Sequence, residues 1–386
     1  MKRMIGCEVG NYDTKLMTKE KALIDLIVAK GGTKVDDAVT MHILNAVAPA
    51  KERRSLGVGN KSLSNLLDVT IDTSEKEACG RWFVGGLAHT EGTQIFKPTR
   101  DDEKAENPMT IVMLLTTLAF ALYDPAKAKQ KEVVSLGTLL PTEEFFKKDV
   151  ANRFVGKIKG EHKVTFNDAA FKGSEITIKI NDDVELLPEG AAGQTATAFD
   201  WDGQPYDQSF ATKMVVNIDI GSIDTDVSIM QEGEYLSKGF FGIKGGTTDV
   251  LRSIAADLND KHGYKPDTHK LDYHIRSKKP LLIGNQVINN LSEIAESHYE
   301  QSAWLLSNKL TEELKDRAID KQQLNEVNLI GGGPEFFEKG FKRHFESKDM
   351  RIIVPANARF KNVEGVLKSL LFRNHVATEG EVFEEK

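Results

Sequence analysis

Two stretches of this sequence set an acid two places before a glycine and an Asp-Thr pair just beyond it. Glu8 leads to Gly10, Asn11, Asp13 and Thr14, and Asp219 leads to Gly221, Ser222, Asp224 and Thr225. A glycine among turn N–H groups lets a phosphate oxygen approach with no side chain in the way. Carboxylates beside such turns repel a polyphosphate unless a cation intervenes. A Mg²⁺ held largely through its waters by Glu8 and Asp219 answers that need. Lys15, just past the first turn, offers the positive charge a β-phosphate favours. Singly, each stretch is an ordinary hairpin of turn-forming residues. The same order of residues in both halves of the chain points to an internal duplication.

A third signal follows the apolar run at 327–330, where Gly331, Gly332 and Gly333 precede Pro334. Three glycines are costly in entropy for a plain strand–helix turn with proline at the first helical position. They suit a flat ligand, such as a purine ring, lying on bare backbone. The segment 242–248, containing Gly245, is weaker. It starts a helix beside a ribose or phosphate, or is a loop with a threonine cap. Missing motifs narrow the chemistry: there is no P-loop, no G-x-G-x-x-G after the first strand, no H-E-x-x-H and no G-x-S-x-G. Phosphate chemistry without a P-loop remains.

The elements that must position these residues read as α/β. Strands are expected on both sides of each turn, helices at 18–30 and 107–122, and β-branched alternation at 164–187. The small-residue stretch 190–203 reads as the passage between two similar halves. Beyond it, helices are expected at 248–262, 279–315 and 319–324, strands at 327–330 and 352–354, and a helix at 364–372 before a frayed acidic tail. The greasy run 110–122, bounded by Asn107-Pro108 and Asp124-Pro125, is too short to span a bilayer and reads as a buried helix.

The 386 residues are 40% hydrophobic and 28% charged, which excludes fibrous, disordered and membrane-bundle classes. Lys+Arg number 51 against 58 Asp+Glu, so the net charge of −7 argues against broad direct DNA binding. Cys7 and Cys79 are the only cysteines, which leaves no disulfide framework or cysteine zinc site. A cytoplasmic protein without a membrane partner is expected.

Together these residues resemble the actin fold, and within it the bacterial actin-like ATPases of the plasmid-segregation ParM type. Ile5-Gly-Cys-Glu-Val-Gly-Asn-Tyr-Asp-Thr-Lys15 is similar to the family's first phosphate motif and Asn217-Ile-Asp-Ile-Gly-Ser-Ile-Asp-Thr-Asp226 to its second. Asn328-Leu-Ile-Gly-Gly-Gly-Pro334 resembles the adenosine motif, and Pro355 to Phe360 with Asn362-Val-Glu-Gly365 the segment that closes the fold. The resemblance implies an actin-like fold, two similar domains flanking a nucleotide cleft. Domain I would span 1–205 with a variable insertion at about 31–72, domain II 206–360, and a C-terminal helix at 361–386 would return to domain I. It implies ATP, with GTP also possible, and Mg²⁺ as cofactors. Gly10, Asn11, Thr14, Lys15, Gly221, Ser222, Thr225, Gly245, Gly331, Gly332, Gly333 and Pro334 would grip the nucleotide. Glu189 would position the attacking water, and Glu8 and Asp219 would complete the catalytic set and hold the metal. Glu8 stands where the family usually has aspartate, and Asp224 where it commonly has glycine or threonine.

The implied function is a nucleotide-dependent filament that segregates plasmid DNA through a DNA-binding adaptor. A monomeric sugar-kinase-like phosphotransferase of the same fold is the second reading, and a slow or non-hydrolysing scaffold the third. Self-assembly would be head-to-tail. The insertion is the part expected to contact a neighbour: Met41, Ile43, Leu44 and Val47, at helical spacing, read as a small subdomain core, and the charged turn at Glu52, Arg53 and Arg54 as the contact.

Overall fold

Alternation along the first strand decides what each of its faces meets. In β1 (Lys2–Val9), Ile5, Cys7 and Val9 enter one hydrophobic cluster, while Met4 joins another formed by Met17, Val363, Leu367 and Leu370. Both faces are covered, as strands in parallel pairing require. The structure is a computed structural model and describes residues 2–52, 62–96 and 102–384, with side chains to His375. Arg53 and Arg54 of the expected assembly turn lie outside the described residues.

The chain divides into two units, Met1–Tyr206 with Phe360–Lys386, and Asp207–Arg359. In the first, β1 is followed by β2 (Asp13–Thr18), β3 (Thr33–Val35), β4 (Ala38–Leu44), β5 (Val47–Pro49), β6 (Asp68–Asp72), β7 (Gly80–Val84), β8 (Lys129–Leu140), β9 (Gly160–Phe166) and β10 (Glu175–Pro188). They form one sheet in the order β3-β4-β2-β1-β8-β10-β9-β6-β7-β5. β1, β8 and β10 run parallel, so their carboxyl ends lie side by side. The helices are α1 (Lys21–Ala29), α2 (Gly86–Glu91), α3 (Pro108–Leu122), α4 (Thr142–Phe145), α5 (Lys148–Ile158) and α6 (Ala191–Ala198).

α3 is the buried helix expected from its apolar run: every residue from Thr110 to Leu122 is buried. Pro108 occupies its first turn, and the Asn107 side chain accepts from the Met109 N–H. Its C-terminal carbonyls are met by a lysine. Buried Lys30 donates to Phe120 O at 2.6 Å, Ala121 O at 2.9 Å and Tyr123 O at 2.8 Å.

The second unit holds β11 (Met214–Ile220), β12 (Asp224–Gln231), β13 (Glu234–Tyr235), β14 (Phe241–Lys244), β15 (Leu281–Ile283), β16 (Gln286–Ile288), β17 (Glu326–Gly331) and β18 (Arg351–Ile353). Its main sheet runs β13-β12-β11-β17-β18, with β14 also on β12, and β11, β17 and β18 are parallel. α7 (Thr247–His262), α8 (Thr268–Arg276), α9 (Leu291–Asp316) and α10 (Pro334–His344) pack around it. α11 (Lys361–Glu384) then lies on the first unit's β1 and β8 and against α6. At Gly365 an added Cβ would stand 1.6 Å from Ala192 O, so only glycine permits that approach.

Four expectations are corrected. Met41, Ile43 and Val47 lie on strands, because Val39, Met41 and Ile43 alternate inward and β2 offers β4 a pairing edge. The stretch 190–203 is no simple passage: its alanines form buried α6, held by α11. The helix expected from 279 begins only at Leu291. A two-residue Gly284-Asn285 turn, with Gly284 at φ +56°, closes the β15–β16 hairpin before it. The expected helix at 364–372 extends to Glu384.

Candidate functional site

Parallel sheets bind ligands beyond the carboxyl ends of their strands, and there the sequence-predicted residues gather within each unit. In the first unit β1 ends in Glu8-Val9 and turns through Gly10 into β2. Glu8 faces Lys15 and Val9 faces Thr14. The Gly10 N–H donates to Asp13 O at 3.0 Å. In the second unit Asp219 faces Asp226 and Ile220 faces Thr225, and the Gly221 N–H donates to Asp224 O, also at 3.0 Å. The two turns thus share register and closing hydrogen bond, as a duplication requires.

Their charge environments differ. Both Glu8 oxygens accept from Lys15, at 3.1 and 3.2 Å, and both residues are buried. Burial pushes the Glu8 carboxyl above its ordinary value; Lys15 and Lys104 pull it down, and Glu189 and Asp13 push it further up. Lys15 is therefore committed to Glu8 rather than projecting as a free phosphate ligand. Where the first turn has Lys15, the second has Asp226, so two buried carboxylates stand across the hairpin. That oxygen pair suits Mg²⁺, which takes one or two carboxylates together with substrate phosphates. The lysine-bound Glu8 does not suit it.

β8 and β10 complete the first unit's site. Leu140 pairs with Pro188, which places Glu189 beside the start of α4. The Glu189 N–H donates to Leu140 O at 2.8 Å, and its carbonyl accepts from Thr142 Oγ1 at 3.1 Å. The Glu189 carboxylate is ion-paired with Lys104. Lys104 is itself fastened: its N–H and that of Ala105 donate to the two Glu144 oxygens at 2.9 and 2.8 Å. Burial disfavours the Lys104 ammonium, yet Glu189, Glu144 and Glu8 outweigh it and hold its pKa above the ordinary value. Glu185 and Asp200, the neighbouring acids, are occupied elsewhere. Glu185 accepts from Ser369 at 2.6 Å and Arg373 at 2.8 Å, and Asp200 accepts from the Asp202 and Gln204 N–H groups at 2.9 and 2.8 Å.

The second unit adds the glycine platform. Gly331 has φ +90°, and a Cβ there would lie 2.1 Å from Asp219 Oδ1, so the metal-ligand candidate packs directly on this glycine. Over Gly332 the space is open to 4 Å. The Gly333 N–H donates to Ile220 O at 3.2 Å, and Pro334 begins α10. The Thr247 and Thr248 N–H groups donate to Gly221 O and Ser222 O at 3.1 and 2.8 Å, and Ser222 Oγ meets Thr248 Oγ1 at 2.7 Å. Thr225 donates to Gly245 O at 2.7 Å. Its counterpart Thr14 is fully buried, with its hydroxyl unpartnered among the described residues. Within its own unit, each turn therefore has its predicted residues around it.

Sequence reasoning missed Lys104, Glu144, Asp226 and Arg276. Arg276 donates to Gly332 O at 2.7 Å, pairs with Asp272 at 2.9 Å and Glu335 at 2.7 Å, and stacks 4.9 Å from the Phe336 ring centroid. It props the platform from behind. The i,i+4 spacing of Asp272 and Arg276 was its only sequence signal.

Residues 6–191 match the family described as actin like proteins N terminal domain, and residues 217–343 match archaeal actin homologue MreB-like, C-terminal. This chain is an actin-like protein. Among solved structures, the actin-like protein Alp7A is similar over 100% of both chains, with 16% identity and a TM-score of 0.76. A Bacillus thuringiensis ParM hybrid protein with ADP, containing two ParM mutants, is similar at 17% identity and a TM-score of 0.69. That similarity covers 97% of this chain and 48% of the hybrid, so the actin-like chain spans about half of the hybrid's length. A 15-stranded ParM filament from Clostridium botulinum is similar at 18% identity and a TM-score of 0.69, over 96% of this chain and 99% of that one. The curated protein sequences compared contain no match to the actin-like chain. None of its helices, among the described residues, is long and apolar enough to cross a membrane.

Proposed function

We propose that this actin-like protein binds ATP, hydrolyses it and polymerises head-to-tail, segregating plasmid DNA through a separate DNA-binding adaptor. The observation that carries the reading is the pair of hairpins with one register and one closing hydrogen bond, each at the carboxyl ends of parallel strands. Gly10 and Gly221 close the turns, the N–H groups of Asn11 and Ser222 hold phosphate oxygens, and the open backbone at Gly332 takes the purine. GTP fits the same bare backbone, because the platform reads shape. Asp219, with Asp226 opposite, holds Mg²⁺; when bound, the ion neutralises phosphate charge. Glu189 orients the attacking water. The similar ParM structures, one with ADP and one a filament, support nucleotide binding and self-assembly.

A second reading, a slow-hydrolysing scaffold, is favoured by the lysine already bound to Glu8. Light scattering after addition of ATP and Mg²⁺, with phosphate release followed in parallel, separates the two. Scattering that rises and then decays with phosphate release supports the ATPase filament. A stable rise without release supports the scaffold, and no rise at any concentration overturns both.

A further inference from the structure

Residues 104, 144 and 189 come from three segments, yet their side chains form one chain of charge in the first unit, with Lys104 and Glu144 buried and Glu189 half-buried. Glu144 clamps two successive N–H groups at Lys104 and Ala105, and Thr110 Oγ1 donates to Lys104 O at 2.8 Å. The Lys104 backbone is thereby fixed at three points. Its ammonium reaches Glu189 Oε1, whose own backbone is tied to Leu140 and Thr142. Among the described residues nothing else engages Glu189 Oε2, which is left to accept from a water.

We infer that Lys104 is the positioning residue for Glu189, holding its carboxylate aimed so that it can orient the attacking water. The inference rests on the proposed role of Glu189. Its reason is electrostatic: Glu8, Asp13, Glu144 and Glu189 act on one another as like charges, with Lys15 and Lys104 set against them. Lys15 is spent on Glu8. Without Lys104, the Glu189 carboxylate would lose the ammonium that fixes its direction and, repelled by Glu8 and Glu144, would turn away. Such a residue acts on turnover and leaves ground-state nucleotide affinity alone.

Single-turnover phosphate release and fluorescent-nucleotide affinity, measured on the full chain, test this in Lys104→Met, Lys104→Arg, Glu189→Gln and the double variant Lys104→Met with Glu189→Gln. Lys104→Met is expected to lose at least about tenfold in hydrolysis with affinity held within about twofold, and Lys104→Arg to recover most of the loss. The double variant should be no slower than Glu189→Gln, since both changes disable one unit. Wild-type turnover in Lys104→Met beside a slow Glu189→Gln, or losses that multiply in the double variant, overturns the inference. Wild-type turnover in Glu189→Gln instead overturns the role of Glu189 itself. Should Lys104→Met fail to fold, Glu144→Gln keeps the ion pair and loosens its anchor. A fall in turnover at unchanged affinity then supports the inference, and unchanged turnover overturns it.

Discussion

Glu8 and Asp219 occupy equivalent places in two equivalent turns and meet opposite neighbours, a lysine in one case and an aspartate in the other. A buried carboxylate with a lysine across the strand is already neutralised; one facing another carboxylate attracts a cation. Asp219→Ala is therefore expected to abolish the Mg²⁺ dependence of nucleotide binding and to weaken affinity at least tenfold when Mg²⁺ is present. Titration of a fluorescent ATP analogue with and without chelator measures both. Unchanged affinity in the variant would remove Asp219 from the metal's ligands. Cys7, next to Glu8, is buried with its thiol pKa pushed up by burial, so it packs and does not react.

Among the elements, α1 and α3 are joined by one side chain. Burial drives the Lys30 ammonium down to about 7, with Asp124 pulling it partway back. The unfolded chain keeps that proton to about pH 10.4. Between these values the unfolded state holds more protons, so stability should rise with pH from about 7 towards 10. Lys30→Met should remove that rise and cost about 2–4 kcal/mol, because the helix-end carbonyls lose their donor. Thermal melts of both proteins from pH 6 to 10 test the sign. A rise that persists in the variant would assign it to another group. Lys368 does the same kind of work at the end of α6: it donates to Ala196 O at 3.1 Å and Phe199 O at 2.7 Å, and so fastens α11.

At the scale of the whole molecule, the chain has two units, each with its own hydrophobic clusters and its own turn. A ligand held by both turns stabilises both units, and one held by a single turn stabilises one. Calorimetry with ADP and Mg²⁺ at about a hundred times Kd should raise stability by roughly 2.7 kcal/mol, and every resolved transition should move upward. A transition that stays in place would show that its unit makes no contact with nucleotide.

The hairpins, the glycine platform and the buried helix α3 were legible in the sequence. Each depends on residues a few places apart, where turn chemistry and hydrophobic spacing act locally. Even there, spacing alone misled, since Met41 with Leu44 and Ile43 with Val47 are three and four apart, as on a helix face, while Val39, Met41 and Ile43 alternate as on a strand. The ion pair of Lys104 with Glu189 joins residues 85 apart, and the bond from Arg276 to Gly332 spans 56. No local pattern announces either. Sheet order brings the ends of β8 and β10 together, and only then do a lysine from the loop before α3 and two glutamates become neighbours. Residue types and spacing determined the duplicated turns and the actin-like class. Tertiary packing decided which carboxylate faces a lysine and which faces another carboxylate, because charge pairing depends on distance in space and not along the chain.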